Sequence, residues 1–372
     1  MDYKEKRAWI RLARTDNVGP VTFYRLLDFY KTASRALEAL PELSKKGGCK
    51  KPLKAPEPQL IDKEIESVEK LGGKILTSAD EAYPLSLSAL EDAPPVITAL
   101  GNIDMISRPC IGMVGARNAS LNGRKMAEKL AYDCGSQSDV VIVSGLARGI
   151  DASAHKGALE NGTIAVVGGG VDVIYPRENQ ELYESISQQG LIIAENPLGW
   201  QPRARDFPRR NRILSGLSLG VVVVEATLRS GSLITARLAG EQGRDVYAVP
   251  GFPGDPRAAG PNSLIKEGAV LVQCAQDILE GITPFGMYQL KEVSPPDYAS
   301  SETHFSSGEP DQDSREALLS NLSFTPVTVD ELVRSCQLNI SVVTQTLFEF
   351  ELAGRITRYP GNRVALLNGE ID

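Results

Sequence analysis

Residues 220–251 read GVVVVEATLRSGSLITARLAGEQGRDVYAVPG, and this stretch decides the fold class. A continuously apolar, β-branched run leads through a loop rich in glycine and serine into an amphipathic helix, and a second apolar run follows. Strands that are apolar along their whole length are buried on both faces, which is typical of a parallel sheet covered by helices. The stretch therefore predicts a strand–helix–strand unit.

The same alternation continues on both sides of this unit, between about residues 63 and 283. Further strands are predicted in CIGMVG (110–115), DVVIVSG (139–145), TIAVVGGG (163–170), LIIAEN (191–196) and AVLVQ (269–273). Amphipathic segments separate most of them. The predicted fold class is α/β, with an extended Rossmann-like, doubly wound parallel sheet in a core of residues 63–283.

Smaller domains are predicted on either side of this core. Residues 1–62 indicate a small helical domain of the SAM or helix-hairpin-helix type. Its turn DNVGP (16–20) either presents backbone N–H groups to DNA phosphates or only joins two packed helices. Residues 284–312 are rich in Pro, Ser and acidic residues and predict a linker. Residues 313–372 predict a winged-helix domain, in which a hairpin follows three helices.

Composition narrows the class of protein. The chain has 372 residues, a net charge of -7 and 5 cysteines, none in a C-x-x-C pair, so neither a disulfide framework nor a zinc site is expected. The N-terminus has no apolar leader, and the predicted location is cytoplasmic. Residues 1–60 contain 13 Lys and Arg against 7 Asp and Glu, whereas residues 311–372 contain 5 against 9. Because charge is uneven, overall acidity does not exclude a nucleic-acid ligand.

Four loops follow predicted strands and share a composition: GARNAS (115–120), SGLARG (144–149), GGGVD (168–172) and EATLRSGS (225–232). Ligands of open parallel sheets bind at the carboxyl ends of the strands, where these loops lie. Glycine lets the backbone approach an anion, and Ser120 and Ser232 are predicted to cap the helices that follow. Four such loops on one edge predict a ligand that carries phosphate.

The segment WQPRARDFPRRNRILSGLS (200–218) adds a cluster of arginines at the same edge. Arg209, Arg210 and Arg212 are predicted on one short helix, where guanidinium groups match successive phosphates. Phe207 offers an apolar face on which a base could stack. Ion pairs with Glu195 or Glu225 remain an alternative for one or two of these arginines. Replacing all three arginines with alanine is expected to abolish DNA binding and leave the fold intact.

No motif predicts a cofactor, a metal site or a catalytic residue. The first loop lacks the G-x-G-x-x-G pattern of dinucleotide sites, and no Walker loop occurs. His155 is interpreted as structural. Asp151, Asp172 and Glu225 lie at strand ends and are acid/base candidates, although we favour their interpretation as helix caps or partners of arginines. The predicted site binds single-stranded DNA and its phosphates through Arg117, Asn118, Ser120, Ser144, Gly145, Arg148, Gly149, Gly169, Phe207, Arg209, Arg210, Asn211, Arg212, Gly231 and Ser232.

These motifs, in this order, closely resemble the DNA-processing protein A family (DprA/Smf) over nearly the whole chain. The resemblance implies a non-catalytic protein of natural transformation and recombination. It would protect incoming single-stranded DNA and help to load the RecA recombinase, with a homodimer formed through the core. The resemblance also implies a pocket that contains Arg117, Ser144, Gly145, Gly149, Phe207, Arg209, Arg210 and Arg212.

An enzyme is the alternative to a DNA-binding protein. A Rossmann-like nucleotide-binding enzyme of the phosphoribohydrolase type shares this loop architecture, but the P-G-G-x-G-T-x-x-E loop of such enzymes is missing from EATLRSGSLITA (225–236).

In the winged-helix domain, the third helix near residues 339–352 contains no Lys or Arg and carries Glu349 and Glu351. Only Arg355, Arg358 and Arg363 of the wing could touch DNA there. We therefore predict mainly a protein-interaction or regulatory role for this domain.

Overall fold

The computed structural model describes residues 1–49, 51–287, 310–359 and 361–367. The chain forms two compact units, of which one combines Met1–Ile61 with Val293–Asp372 and the other is Asp62–Glu292. Most of the predicted linker falls on residues 288–309 and lies outside the described residues. The predicted domain boundaries therefore stay predictions. Within the described ranges, no helix has both the length and the apolar character needed to cross a membrane.

The N-terminal part of the first unit is helical, as predicted. Its helices are α1 (Tyr3–Ala13), α2 (Pro20–Tyr30) and α3 (Ala33–Lys46). Helix α1 begins after Asp2, whose carboxylate accepts a hydrogen bond from the Glu5 N–H at 2.7 Å. Pro20 occupies the first turn of α2, where its missing N–H costs no helical hydrogen bond. The helices pack around a cluster of buried apolar side chains that includes Phe23, Leu26 and Leu40.

The second unit alternates strands and helices. In chain order it contains α4 (Pro58–Lys70), β1 (Gly73–Thr77), α5 (Leu85–Ser88), β2 (Val96–Gly101), β3 (Cys110–Val114), α6 (Leu121–Gln137), β4 (Val141–Ser144), α7 (Ile150–Ala158), β5 (Thr163–Val167), α8 (Gln180–Gln189), β6 (Leu191–Ala194), α9 (Asp206–Leu217), β7 (Gly220–Val223), α10 (Gly231–Glu241), β8 (Asp245–Ala248), α11 (Ala259–Lys266), β9 (Val270–Leu271) and α12 (Ala275–Met287).

All the strands of this unit lie in one sheet with the order β1-β2-β6-β5-β4-β3-β7-β8-β9. From β6 to β9 every neighbouring pair is parallel, which confirms the predicted Rossmann-like sheet. The edge differs from the prediction, because β1 and β2 pair with each other, and β2 with β6, in the antiparallel direction. The sheet is therefore mixed, with a parallel majority.

Helices cover both faces of the sheet. On one face, α9 and α10 contribute Leu214 and Ala236 to a cluster with strand residues such as Val143. On the other face, α6, α7 and α12 contribute Leu130, Ala154 and other apolar side chains to a second cluster. Every residue of β3, β4, β5, β6 and β7 is buried. This double burial is the reason why the sequence of these strands is apolar without alternation.

The C-terminal part of the first unit is a winged helix, as predicted. It contains α13 (Gln312–Asn321), β10 (Val327–Thr328), α14 (Val329–Cys336), α15 (Ile340–Leu352), β11 (Ile356–Tyr359) and β12 (Arg363–Leu366). Strand β12 lies between β10 and β11, and both pairings are antiparallel. Helix α15 ends before Gly354, which adopts a positive φ of 68° that favours glycine. The core is formed by residues such as Val343, Leu347 and Phe350 of α15.

Candidate nucleic-acid interface

The order of the strands reverses between β3 and β7, and a groove opens at this point. Chain connections run in opposite directions from these two neighbouring strands, so the loops that follow them diverge and leave a crevice. The groove has a volume of about 830 Å³, and Ala116, Asn118, Asn211, Thr227 and Gly231 are among its lining residues. We call it the switch-point groove. The predicted GARNAS and EATLRSGS loops therefore form its two walls.

A smaller cavity of about 380 Å³ adjoins the switch-point groove. It lies over the loops that follow β4 and β5, and its lining includes Gly145, Arg148 and Gly169. The lining residues common to both spaces are Arg117, Ala147, Tyr175, Pro202, Phe207 and Arg210. The four glycine-containing loops thus meet around one continuous depression at the carboxyl edge of the sheet.

Three side chains form a stacked ledge in this depression. The guanidinium of Arg117 lies over the Phe207 ring, with its central carbon 5.6 Å from the ring centroid. The Tyr175 ring lies 5.5 Å from the Phe207 ring on a tilted plane. We call Arg117, Phe207 and Tyr175 the aromatic ledge. Flat faces of this kind stack on nucleobases of any sequence, and the arginine adds a cation beside them.

Sequence reasoning identified Arg117 and Phe207 but missed Tyr175. Tyr175 follows the third predicted loop, in VDVIYP (171–176), a stretch whose aromatic residue could have been noticed. Nothing in the spacing along the chain shows that this residue reaches Phe207, which is 32 positions away in the sequence. Only the packing of α9, whose first turn carries Phe207, against β5, which leads into the loop of Tyr175, brings the two rings together.

The arginines of α9 separate into different environments. Arg210 is buried, and its guanidinium donates hydrogen bonds to the carbonyl oxygens of Gly145, at 2.7 Å, and of Val166. Arg212 is also buried but lines neither space; it forms an ion pair with Glu195 and donates to the Asp92 carbonyl. Arg209 is exposed. Arg212 therefore forms the ion pair to Glu195 that was the alternative to phosphate binding. Arg210 is buried but lines both parts of the depression.

A buried carboxylate accompanies Arg210. Asp151 accepts hydrogen bonds from the Gly145 N–H at 3.2 Å and the Ala147 N–H at 3.4 Å. Burial raises the pKa of the Asp151 carboxyl, and the charge of Arg210 opposes that rise. Burial also lowers the pKa of Arg210 to about 10, against the attraction of Asp151. The two groups hold the SGLARG loop from both sides: Asp151 binds its N–H groups and Arg210 one of its carbonyl oxygens.

Comparisons with known proteins agree with this architecture. Residues 74–283 match the family described as DNA recombination-mediator protein A. This chain belongs to that family. Residues 3–67 match its DprA-like N-terminal HHH domain, and residues 303–362 match its winged-helix domain.

Curated relatives extend the similarity along the chain. Protein Smf of Synechocystis is 32% identical over 402 residues, covering 98% of this chain and 99% of its own length. Protein Smf of Escherichia coli is 41% identical and covers 82% of this chain and 81% of its own length. DNA processing protein DprA of Streptococcus pneumoniae is 48% identical over 202 residues, covering 54% of this chain and 71% of its own length.

Two solved structures share the fold. DNA processing protein A from Streptococcus pneumoniae aligns with a TM-score of 0.63 and 35% identity, over 75% of this chain and 98% of its own. A structure concerned with the single-stranded DNA binding mode of DNA processing protein A from Helicobacter pylori aligns with a TM-score of 0.53 and 28% identity. It covers 57% of this chain and 96% of its own.

In this member of the recombination-mediator family, the predicted serines take different roles. Ser120 caps α6 by accepting from the Gly123 N–H at 2.9 Å, as predicted, and its hydroxyl donates to Glu225 at 2.5 Å. Ser144 is fully buried and donates to the Met113 carbonyl at 2.6 Å, so its hydroxyl holds two strands together. The predicted cap Ser232 is wrong: Ser230 caps α10, and Ser232 lies inside the first turn. The reason is that the helix already begins at Gly231.

The remaining predicted contacts lie around the depression. Asn118, Asn211, Gly231 and Ser232 line the switch-point groove. At Gly231 a Cβ would meet nothing within 4 Å, so the N-terminus of α10 is open to an anion. Arg148 pairs with Glu178 at 3.5 Å, and both side chains are more than half exposed, so this pair can exchange for a phosphate at small cost.

Three titratable groups that the sequence analysis considered near the groove, His155, Asp172 and Glu225, are engaged in the fold. His155 is fully buried, and burial together with Arg210 lowers its pKa to about 3, so the ring is neutral. The Thr163 hydroxyl donates to the Ile142 carbonyl, so the His155 Nδ1–H is the donor to the Thr163 oxygen at 2.7 Å. Asp172 accepts from the Gly199 N–H at 2.8 Å, and Glu225 from the Ser120 N–H at 2.8 Å. These partners leave each group in a structural role.

Gly149 joins two of the loops, and its replacement provides a test of the site's rigidity. It adopts a φ of 80°, and a Cβ there would lie 2.2 Å from the Ala116 carbonyl oxygen. Gly149→Ala is therefore expected to lower the free energy of unfolding by about 1–3 kcal/mol and to weaken DNA binding. Urea unfolding and a mobility-shift assay measure the two effects. Gly231→Ala, where a Cβ meets nothing within 4 Å, is the control for stability; equal stabilities of the two variants would contradict the prediction.

Proposed function

We propose that this protein binds single-stranded DNA in the depression formed by the switch-point groove and the adjoining cavity. The observation that carries the proposal is the aromatic ledge beside buried Arg210 and the open N-terminus of α10. Bases stack on Phe207 and Tyr175, while phosphates meet Arg117 and the N–H groups of the glycine loops. The similarity to the Helicobacter pylori protein, whose structure concerns single-stranded DNA binding, supports this ligand.

Binding of this kind has little preference for sequence. Stacking uses the flat face that every base has, and phosphates are identical along a strand. Fluorescence anisotropy with labelled oligothymidine and with mixed-sequence strands of the same length is the direct test. Affinities that differ by orders of magnitude between sequences would contradict the proposal.

The salt dependence provides an independent prediction. Cations on the protein release counterions from the strand, so the logarithm of the binding constant falls linearly with the logarithm of the salt concentration, by about 0.7 for each phosphate contacted. With Arg117, Arg148 and Arg209 near the strand, we expect a slope of about -2. A titration series between low and moderate salt measures it. A slope near zero would mean that phosphates are not the main ligand.

A role as a mediator of recombination is part of the proposal. The family resemblance supports protection of incoming strands during natural transformation and their transfer to the RecA recombinase, in the cytoplasm. It also supports a homodimer through the core. Sedimentation at micromolar concentration measures self-association, and RecA filament formation on strands coated by single-strand-binding protein measures loading. A protein that stays monomeric and leaves filament formation unchanged would contradict this part alone.

The proposal describes a binding protein rather than an enzyme. His155, Asp151 and Glu225 have structural partners, as described above. A phosphoribohydrolase can be distinguished from a binding protein because it would release free base from nucleoside monophosphates. Chromatography of such an incubation separates the two functions: the proposal expects no released base, and turnover would contradict it.

A further inference from the structure

Helix α15 has two apolar faces, and only one of them belongs to the winged-helix core. Val343, Leu347 and Phe350 pack inside the winged helix. Leu352 is fully buried, and together with Phe348 it belongs instead to the apolar cluster of the N-terminal helices. The third helix of a winged helix normally presents its outer face to the major groove of duplex DNA. Here that face carries apolar side chains packed against α1–α3.

Polar contacts join the same two domains. Asn17, in the turn between α1 and α2, donates from its side-chain nitrogen to the Leu352 carbonyl at 3.3 Å. The Thr22 hydroxyl donates to the Glu351 carboxylate at 3.2 Å, and Arg358 donates to the same carboxylate at 2.9 Å. Arg25 of α2 also senses the charge of Glu351. Burial lowers the pKa of Arg25, and the attraction of Glu351 opposes that change. The turn that could have presented N–H groups to phosphates therefore faces the end of α15.

The backbone of the two domains comes very close at Gly47, just after α3. A Cβ at this position would lie 2.0 Å from the Glu349 carbonyl oxygen and 3.0 Å from the Ala353 Cβ. The φ of Gly47 is -71°, an ordinary value for any residue, so only the contact with α15 requires glycine here. Backbone in this close contact leaves no space for a DNA strand between the two domains.

The charges of the two domains are complementary. Residues 1–60 contain 13 Lys and Arg against 7 Asp and Glu, and residues 311–372 contain 5 against 9. The two glutamates of α15 are neutralised by ion pairs within the winged helix. Glu349 pairs with Arg315 at 2.8 Å, and Glu351 pairs with Arg358. Arg355, one of the arginines that were DNA-contact candidates, already has a partner inside the domain. Its guanidinium stacks on Phe350, 5.3 Å from the ring centroid.

We propose that α15 is a docking helix whose partner is the N-terminal helical domain of the same chain. In the docked state the helical domain covers the outer face of the third helix of the winged helix through Phe348 and Leu352, so this helix is not available to duplex DNA. The predicted protein-interaction role of the winged helix thus acquires an intramolecular partner. This inference is independent of the proposed binding of single strands by the core.

Hydrogen exchange followed by mass spectrometry on the full chain tests the docking. Gly47→Val introduces side-chain atoms where a Cβ already lies 2.0 Å from the Glu349 oxygen, and Phe348→Asp places a carboxylate on the docking face. We expect each variant to speed exchange about tenfold or more in the 14–19 turn and in the last turn of α15. Helices α13 and α14 should exchange as in the unmodified protein. Gly240→Val in α10, where a Cβ meets nothing within 4 Å and which belongs to neither domain, is the matched control.

The outcomes decide between partners. Unchanged exchange in Gly47→Val would overturn the docking, whatever happens to the folding of Phe348→Asp. If the unmodified protein loses its protection from hydrogen exchange in the last turn of α15 on dilution, the partner is a second copy of the chain. That result would overturn the intramolecular proposal. Slower exchange of residues 340–352 on addition of duplex DNA, with faster exchange of the 14–19 turn, would show that α15 binds DNA instead.

Discussion

Arg210→Ala is expected to lower the free energy of unfolding by about 3–5 kcal/mol, the range for leaving a buried charge without the opposite charge that attracts it. Arg210 is 7% exposed and Asp151 6%, so the remaining carboxylate would have no solvent to stabilise its charge. The carbonyl oxygens of Gly145 and Val166 would also lose their donor. Because Gly145 lies in the SGLARG loop, binding of single strands should be lost together with stability.

The neighbouring Arg209 provides the control. Arg209→Ala removes the same charge from the same helix at an exposed position, so it should change stability by less than about 0.5 kcal/mol. Urea unfolding followed by circular dichroism compares the stabilities of the two variants, and anisotropy with oligothymidine compares the affinity of Arg210→Ala with that of the unmodified protein. If Arg210→Ala loses binding but unfolds like the unmodified protein, then Arg210 contacts the strand directly and does not support the loop.

Arg117→Ala is expected to weaken binding of single-stranded DNA by about tenfold to a hundredfold without a matching loss of stability. The substitution removes a cation that can pair with phosphate and the flat guanidinium face that Arg117 adds to the aromatic ledge, and base stacking and charge-assisted hydrogen bonds each contribute about 1–3 kcal/mol. Arg117→Lys keeps the charge but loses the planar group, so its affinity should lie between those of the alanine variant and the unmodified protein. Anisotropy titrations measure all three.

A matched control is available on α10. Arg237 is 69% exposed, pairs with Glu241 at 3.5 Å and does not line the switch-point groove. Arg237→Ala changes the net charge by the same amount as Arg117→Ala, so a general electrostatic effect would weaken both variants equally. Equal affinities of these two variants would contradict a local role for Arg117, and with it the position of the strand on the aromatic ledge.

The triple replacement of Arg209, Arg210 and Arg212 has a different meaning in light of the structure. Arg210 and Arg212 are two positions apart, which separates them by about 200° around a helix. One therefore points towards the SGLARG loop, and the other towards Glu195 and Asp92. A variant without all three arginines loses contacts inside the fold, so its loss of binding would not identify a DNA contact. Single substitutions are the sharper experiment.

The structure gives a different reason from the acidic residues for why the outer face of α15 is unsuited to DNA. Glu349 is 1% exposed and pairs with Arg315 inside the winged helix, so its charge does not face outwards. What makes the outer face unsuitable for a phosphate array is its packing through Phe348 and Leu352. The predicted role stays the same, but apolar burial and not Coulomb repulsion supports it.

The sequence by itself determined the α/β fold, the winged helix and the edge of the sheet at which the glycine-containing loops meet. Continuous apolar runs and glycine loops repeat along the chain, and such local patterns depend only on which faces are buried. The antiparallel β1 and β2, the meeting of Tyr175 with Phe207, and the division of the α9 arginines between Gly145 and Glu195 were decided by tertiary structure. These features join residues far apart in sequence, and the direction of a long side chain depends on which partners the packed neighbours offer it.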